Sequence, residues 1–228
     1  MKKPLVVFGT GEIGEIAHYY FSKDSDREVA AFAADRERIR ENTFCGLPVV
    51  AFEDLNESHP PAQFDMFVAL SYAKLNRVRQ SKYDEAKAKG YTLASYISSR
   101  SVCWDNAFFG DNCFILENQT VQPFCRIGNN VTLWSGNHIG HHSTIGDHTF
   151  VSSHVVISGM CTIGARCFFG VNATFRDNCS IGDEVFVGMG ASVTKDVAGG
   201  EMVLGASDDV IPADDRRARA IRRSYFGI

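Results

Sequence analysis

The sequence predicts a short α/β unit, then a parallel β-solenoid, then a C-terminal helix. Three observations carry this: a strand–glycine turn–helix opening, an unbroken six-residue apolar period through the second half, and a tail in which acids precede arginines. With 228 residues, 45% of them hydrophobic, the chain has ordinary globular composition, and its formal charge of −4 gives no pull toward nucleic acid or anionic membrane. No apolar run approaches the roughly 20 residues of a membrane span. The start, MKKPLVVFGTGEIGE, meets glycine and glutamate too early for a secretory signal, so a cytoplasmic location is expected.

The first element, LVVFGTG, is an apolar strand running into glycines, and EIGEIAHYYF follows with Ile13, Ile16, Ala17 and Tyr20 at helical spacing. Gly9, Gly11 and Gly14 satisfy G-x-G-x-x-G, and Asp35 ends the next strand, EVAAFAAD. Strand, turn, helix and acid in this order open a Rossmann-like unit whose helix start offers backbone N–H groups to a phosphate. FDMFVAL reads as a third core strand, NRVRQSKYDEAKAKG as a helix closed by Gly90, and YTLASYI as the strand feeding the second half, with a loop at Pro60-Pro61. Only about 95 residues are available here, too few for both halves of a dinucleotide fold, so the pocket suits one nucleotide.

From Ile97 every sixth residue is apolar: Cys103, Phe109, Ile115, Val121 and onward without a break to Val187 and Val193. At the chain's 45% hydrophobic frequency, seventeen in succession has a probability on the order of one in a million. Glycine often stands one place after the anchor (Gly110, Gly128, Gly140, Gly146, Gly164, Gly170, Gly182, Gly188), and a small or β-branched residue four places after it. Cys113, Cys125, Cys161, Cys167 and Cys179 fall in that second class and Cys103 is an anchor, so six of seven cysteines read as small core residues. No Cys-x-x-Cys pair occurs. A strict period of six suits neither a helix nor a simple strand; it suits short strands joined by tight turns, with residues two and three after an anchor near the surface.

A Rossmann-like unit fused directly to a hexapeptide solenoid resembles the sugar O-acyltransferases of the sialic acid O-acetyltransferase type, a group that includes N-acetyltransferases of nucleotide-linked amino sugars. The resemblance runs from GTGEIG to about Gly205. It implies a left-handed parallel β-helix with three hexapeptides per triangular coil and a little over five coils across residues 97–194. The implied domains are a nucleotide-sugar-binding unit (1–95), an acyltransferase β-helix (96–205) and a helical tail (206–228). It further implies acetyl-CoA as cosubstrate, a homotrimer, and active sites in the clefts between subunits.

Residue roles follow from the same resemblance. In HIGHHSTIG, His141 matches the general base; the acid that usually comes next is replaced by His142, which can orient it as a neutral acceptor. Gly159, Val171 and Gly188 match the path of the pantetheine arm, and Lys195 is placed to meet a phosphate. Gly9, Gly11 and Asp35 match the nucleotide-side glycine turn and acid. Tyr72, in a Ser71-Tyr72 pair where the family carries Gly-Asn, is assigned to the substrate, and Ala34-Asp35 replaces two consecutive acids. A histidine that often meets the acetyl carbonyl aligns with Phe150, leaving His148 or His154 to compensate.

The chemistry is sensible without the family, because a thioester is already activated and the enzyme needs mainly to align the nucleophile and take its proton. Imidazole, with an unperturbed pKa of about 6.5, suits that task without a metal. Two other readings remain. A γ-type carbonic anhydrase uses the same solenoid but needs two histidine ligands five residues apart, a spacing absent among His138, His141, His142, His148 and His154. A non-catalytic nucleotide-sugar-binding protein is the other, favoured by the His142 departure. The tail, DDVIPADDRRARAIRRSYFGI, sorts its charges as a dipole-matched helix would, to lie in solvent, pack in the trimer or touch coenzyme phosphates.

Overall fold

A computed structural model describes residues 2–205 and positions 216, 217, 219, 220 and 223. Those five tail positions are helical; the rest of the expected C-terminal helix lies outside the described residues.

The N-terminal unit begins with β1 (Leu5–Phe8), α1 (Glu12–Lys23) and β2 (Val29–Ala34). It continues through β3 (Thr43–Phe44), β4 (Leu47–Ala51), the short α2 (Leu55–Ser58), β5 (Asp65–Val68) and α3 (Arg77–Ala88). The sheet order is β3-β4-β2-β1-β5, parallel except for the β3–β4 pair. β1 and β5 are buried along their whole length, as apolar runs covered on both faces should be. The β3–β4 hairpin, absent from the expected elements, turns through Cys45 and Gly46, both at positive φ (50° and 79°), the geometry a two-residue hairpin loop requires. Gly90, at φ 92°, ends α3 as expected.

From Tyr96 the chain forms eighteen two-residue strands stacked into three parallel sheets, so each coil is a triangle. We call the seven-stranded sheet from Tyr96–Ile97 to Met202–Val203 face one. Face two has six strands, from Val102–Cys103 to Ser192–Val193, and face three has five, from Phe108–Phe109 to Ser180–Ile181. Each anchor is the second residue of its strand and points inward, joined in the core by residues such as Cys113, Cys125, Val131, Cys161 and Cys179. The anchor column is buried from Ile115 onward, but Ile97 is 39% exposed because no coil lies above the first.

The corner residue three places after an anchor takes left-handed backbone angles in coil after coil. Asn112, Asn118, Asn130, Asn172 and Asn178 do so, with φ of 52–60°. These angles are the ones asparagine and histidine tolerate better than most L-residues. His142, His148 and His154 occupy the same position, with φ of 59°, 64° and 58°. The local density of histidine is therefore largely a consequence of turn geometry.

The N-terminal unit sits on face one and its two flanking corners. Asp24 accepts hydrogen bonds from Tyr96, Ser98 and Ser99, while Tyr20 donates to Glu117 at 2.7 Å. Along the opposite corner, Tyr83 and Lys87 donate to Asp111, and Arg77 pairs with Glu184 at 2.6 Å. This cover corrects the expectation that every corner is surface: Asn112, Asn130 and His148 are buried.

Candidate functional site

A cavity of about 1020 Å³ opens at the C-terminal ends of β1, β2 and β5, and all four expected substrate residues, Gly9, Gly11, Asp35 and Tyr72, line it. The three glycines act by different means. Gly9 holds φ +121°, and a Cβ on it would stand 2.6 Å from the Ala69 carbonyl oxygen. At Gly14 a Cβ would stand 2.1 Å from the Gly9 carbonyl oxygen, so its bareness lets α1 start against the turn. Gly11 meets nothing; it is the N-cap of α1 without a side-chain cap bond, which leaves the helix's first N–H groups directed at the cavity.

Charge in the cavity favours an anionic ligand: Arg38, Arg40, Lys74 and Lys82 face only Glu12 and Asp35. Sequence reasoning missed Lys82. It lies 17% exposed between Asp35 (2.7 Å) and Glu85 (2.8 Å), with its ammonium over the rings of Phe8 and Phe52. Burial lowers its pKa, but the two carboxylates outweigh that and the net shift is upward. Asp35 is thus engaged at Oδ1 by Lys82, and Arg38 Nε lies 4.0 Å from its Oδ2.

The loop from β5 to α3 joins this cavity to the solenoid. Tyr72 packs on Phe150 and Phe168, which stack with Phe186 in a column along face one. Lys74, Leu75 and Asn76 all hold positive φ (51°, 51° and 64°), a left-handed turn that costs roughly 1–2 kcal/mol per residue. Buried Asn76 pins it by donating to the carbonyls of Arg166 and Cys167. One turn further on, Arg79 is buried against face one, donating to Thr132 Oγ1 (2.9 Å), Asn76 Oδ1 (3.1 Å) and the His148 carbonyl (2.6 Å). Desolvation lowers its pKa to about 9.

His141 and His142 are at the corner between faces two and three, opposite the face that carries the N-terminal unit, and both are exposed. Their Nδ1 atoms are 3.1 Å apart, so one ring donates and the other accepts. The His141 backbone N–H donates to Gln122 Oε1 at 2.8 Å, and the His142 ring packs on Phe124, tilted by 35° with 4.6 Å between centroids. Gln122 and Phe124 were not foreseen. Stacking by coils of eighteen puts Gly159 and Asp177 in one column with His141, and Lys195 follows at the same edge in the last coil, whose corner is two residues shorter: Val197 bridges Ile181, and Asp196 accepts from the Ser180 N–H at 2.8 Å. The Gly159 N–H is already donated to Asp177 Oδ1 at 2.8 Å. Val171 and Gly188 lie one corner away, between faces one and two, so a single chain does not bring all four expected cofactor residues together.

The other histidines disperse. His138 is on a strand of face two, and exposed His154 is at the corner between faces one and two. His148 is beneath the N-terminal unit with its Nδ1 2.9 Å from Asn130 Nδ2 and its ring against Tyr83. Burial lowers its pKa, so it stays neutral and accepts from the asparagine amide. Phe150 is 4% exposed within the aromatic column. Among the described residues no group of three or more His, Cys, Asp or Glu is placed to hold a metal ion, and no helix is long and apolar enough to cross a membrane.

The bacterial transferase hexapeptide model (six repeats) matches residues 124–159, and the hexapeptide repeat of succinyl-transferase matches residues 161–195. No curated protein matches the chain by sequence. Among solved structures, the acetyltransferase domain of PglB from Neisseria gonorrhoeae shares 23% identity at a TM-score of 0.79, over 92% of this chain and 100% of that one. A variant of perosamine N-acetyltransferase from Caulobacter crescentus, in complex with CoA and GDP-perosamine, shares 21% identity at a TM-score of 0.81, over 93% of this chain and 98% of that one. The chain carries transferase hexapeptide repeats and has, nearly end to end, the two-part fold of these acetyltransferases.

Proposed function

We propose that the protein is a cytoplasmic acetyl-CoA-dependent acetyltransferase that acylates an amino group, or alternatively a hydroxyl, of a nucleotide-activated sugar. The observation that carries this is the pairing, in one fold, of a cation-lined cavity behind a glycine turn with an exposed imidazole braced through its Nδ1. The similar structures with bound acetyl coenzyme A, or with CoA and GDP-perosamine, support the same substrate classes.

In this reading His141 donates its Nδ1 proton to His142 and keeps Nε2 unprotonated. As the sugar amine attacks the thioester carbonyl, Nε2 takes the amine's proton; collapse of the tetrahedral intermediate expels the CoA thiolate, which recovers that proton. Direct transfer fits the buried thiols, since burial pushes Cys113 up to about 12 and Cys167 to about 11, away from nucleophilic use. On the substrate side Gly11 and the first turn of α1 present N–H groups to the diphosphate, Gly9, whose own N–H is taken by the Ala33 carbonyl (2.8 Å), shapes the turn beneath it, and Asp35 and Tyr72 contact the base and sugar ends.

A homotrimer fits the layout. The N-terminal unit covers face one and His141 projects from the corner opposite, so a sugar held in one chain's cavity is served by a neighbour's imidazole. Likewise one pantetheine can touch Gly159 and Lys195 together with Val171 and Gly188 only where two chains' corners meet. The test is acetyl-CoA turnover with UDP-, GDP- and dTDP-linked amino sugars. The wild type turns over at least one, and His141→Ala lowers kcat by about 10²–10⁴-fold. Binding without turnover would leave a nucleotide-sugar-binding protein, and full activity of the alanine variant would remove His141 from the chemistry.

A further inference from the structure

The glycines directly after anchors face backbone: at Gly146 a Cβ would stand 2.5 Å from the Gly164 carbonyl carbon. Gly159 differs. It follows its anchor, Ile157, by two places and does not hold a positive φ, so its backbone would accept an alanine. What a Cβ would strike is the His141 imidazole, with Cε1 and Nε2 each at 2.9 Å and Cδ2 at 3.3 Å. We propose that Gly159 is a positioning residue, its bare Cα forming the floor on which the His141 ring lies with Nδ1 turned to His142.

The floor is fixed from below and tied above. Gly159 donates its N–H to Asp177 Oδ1 (2.8 Å) and accepts at its carbonyl from the Asn178 N–H (3.0 Å). The next residue, Met160, donates its N–H to the His141 carbonyl at 2.8 Å. With its amide engaged, Gly159 serves the site through the side chain it lacks. Carbon contacts prefer about 3.5–4.0 Å, so an alanine there lifts the ring by somewhat under an ångström. Because the displaced atoms are the tip of an exposed side chain, the ring swings aside at little cost to the fold, and the Nδ1–Nδ1 hydrogen bond is lost.

The consequence for rate rests on His141 being the proton acceptor. Gly159→Ala is expected to lower kcat by about 10- to 100-fold, the effect of misplacing a reacting group by about 1 Å, with KM for the nucleotide sugar within about twofold. The pH–rate profile shifts as well, and ring-nitrogen NMR shows the Nδ1 proton shared by His141 and His142 in the wild type but not in the variant. Thermal melting of His141→Ala with and without Gly159→Ala separates the alternative: the two melt together if the imidazole is the only thing an alanine offends. Full kcat with unchanged ring signals would overturn the proposal. So would a fall in kcat with the ring signals intact, or a lower melting temperature of the double variant. If the wild type proves inactive, the catalytic reading of His141 falls separately, and the ring-nitrogen signals still decide whether Gly159 positions the imidazole.

Discussion

His142 and His148 occupy the same place in the hexapeptide, one corner apart, with nearly the same backbone (φ 59° and 64°). His142 is exposed and shares a hydrogen bond with the candidate base. His148 is sealed under α3, where its carbonyl takes the Arg79 guanidinium and its ring accepts from Asn130. The repeat supplies the left-handed corner in both cases, and the covering domain decides what the side chain does there. A motif on a solenoid acquires its role from which of the three edges is left bare.

The largest expected effect comes from stripping the covered corner. Arg79→Ala removes the donor for Thr132, Asn76 and the His148 carbonyl and opens a cavity on face one, so stability in urea melts should fall by about 3–5 kcal/mol. A loss below about 1 kcal/mol would show that the corner does not need its cover.

Next is the pH response of His148. Its folded pKa lies below its unfolded value of about 6.5, so the unfolded chain binds the proton first. Its contribution is therefore fully present above about pH 6.5 and is lost as pH falls through that value toward the folded pKa. His148→Asn keeps the left-handed corner but cannot titrate there. The stability gap between wild type and variant should narrow as pH drops from 7.5 to 5; a constant gap would mean that His148 is not held neutral.

The smallest change in stability belongs to the open corner. His142→Asn also preserves the turn and loses only two exposed contacts, the ring packing on Phe124 and the hydrogen bond to His141 Nδ1, so melting should move by less than about 0.5 kcal/mol while kcat falls roughly tenfold through loss of the Nδ1 partner. Equal destabilisation by the two asparagine variants would erase the contrast between the corners.

Much of this could be read from the residues. The six-beat column located the strands, the glycines after anchors marked where coils pack backbone to backbone, and the glycine turn with Asp35 marked the cavity. The left-handed corner is not among these: asparagine recurs three places after anchors, but that this marks positive φ, also at His142, His148 and His154, emerges only with the coordinates. Arg79 and Lys82 could not be read this way. NRVRQSKYDEAKAKG has the composition of a solvated helix, and only docking on face one turns one cation into a buried anchor and the other into the wall of the cavity. The same holds for Gly159, whose neighbour in space, His141, is one full coil away in sequence.

Asn112 shows what this docking means for the protein as a pair of modules. Its side chain accepts from the Val68 N–H (2.8 Å) and donates to the Val68 carbonyl (3.2 Å), while Met66 on the same edge of β5 is bonded by Thr92 and Ala94. A lone amide thus imitates the next rung of the sheet and seals an edge that would otherwise recruit foreign strands. The halves are not interchangeable cassettes: grafting this N-terminal unit onto another solenoid would leave a raw, adhesive margin unless the recipient carried an amide at the same height.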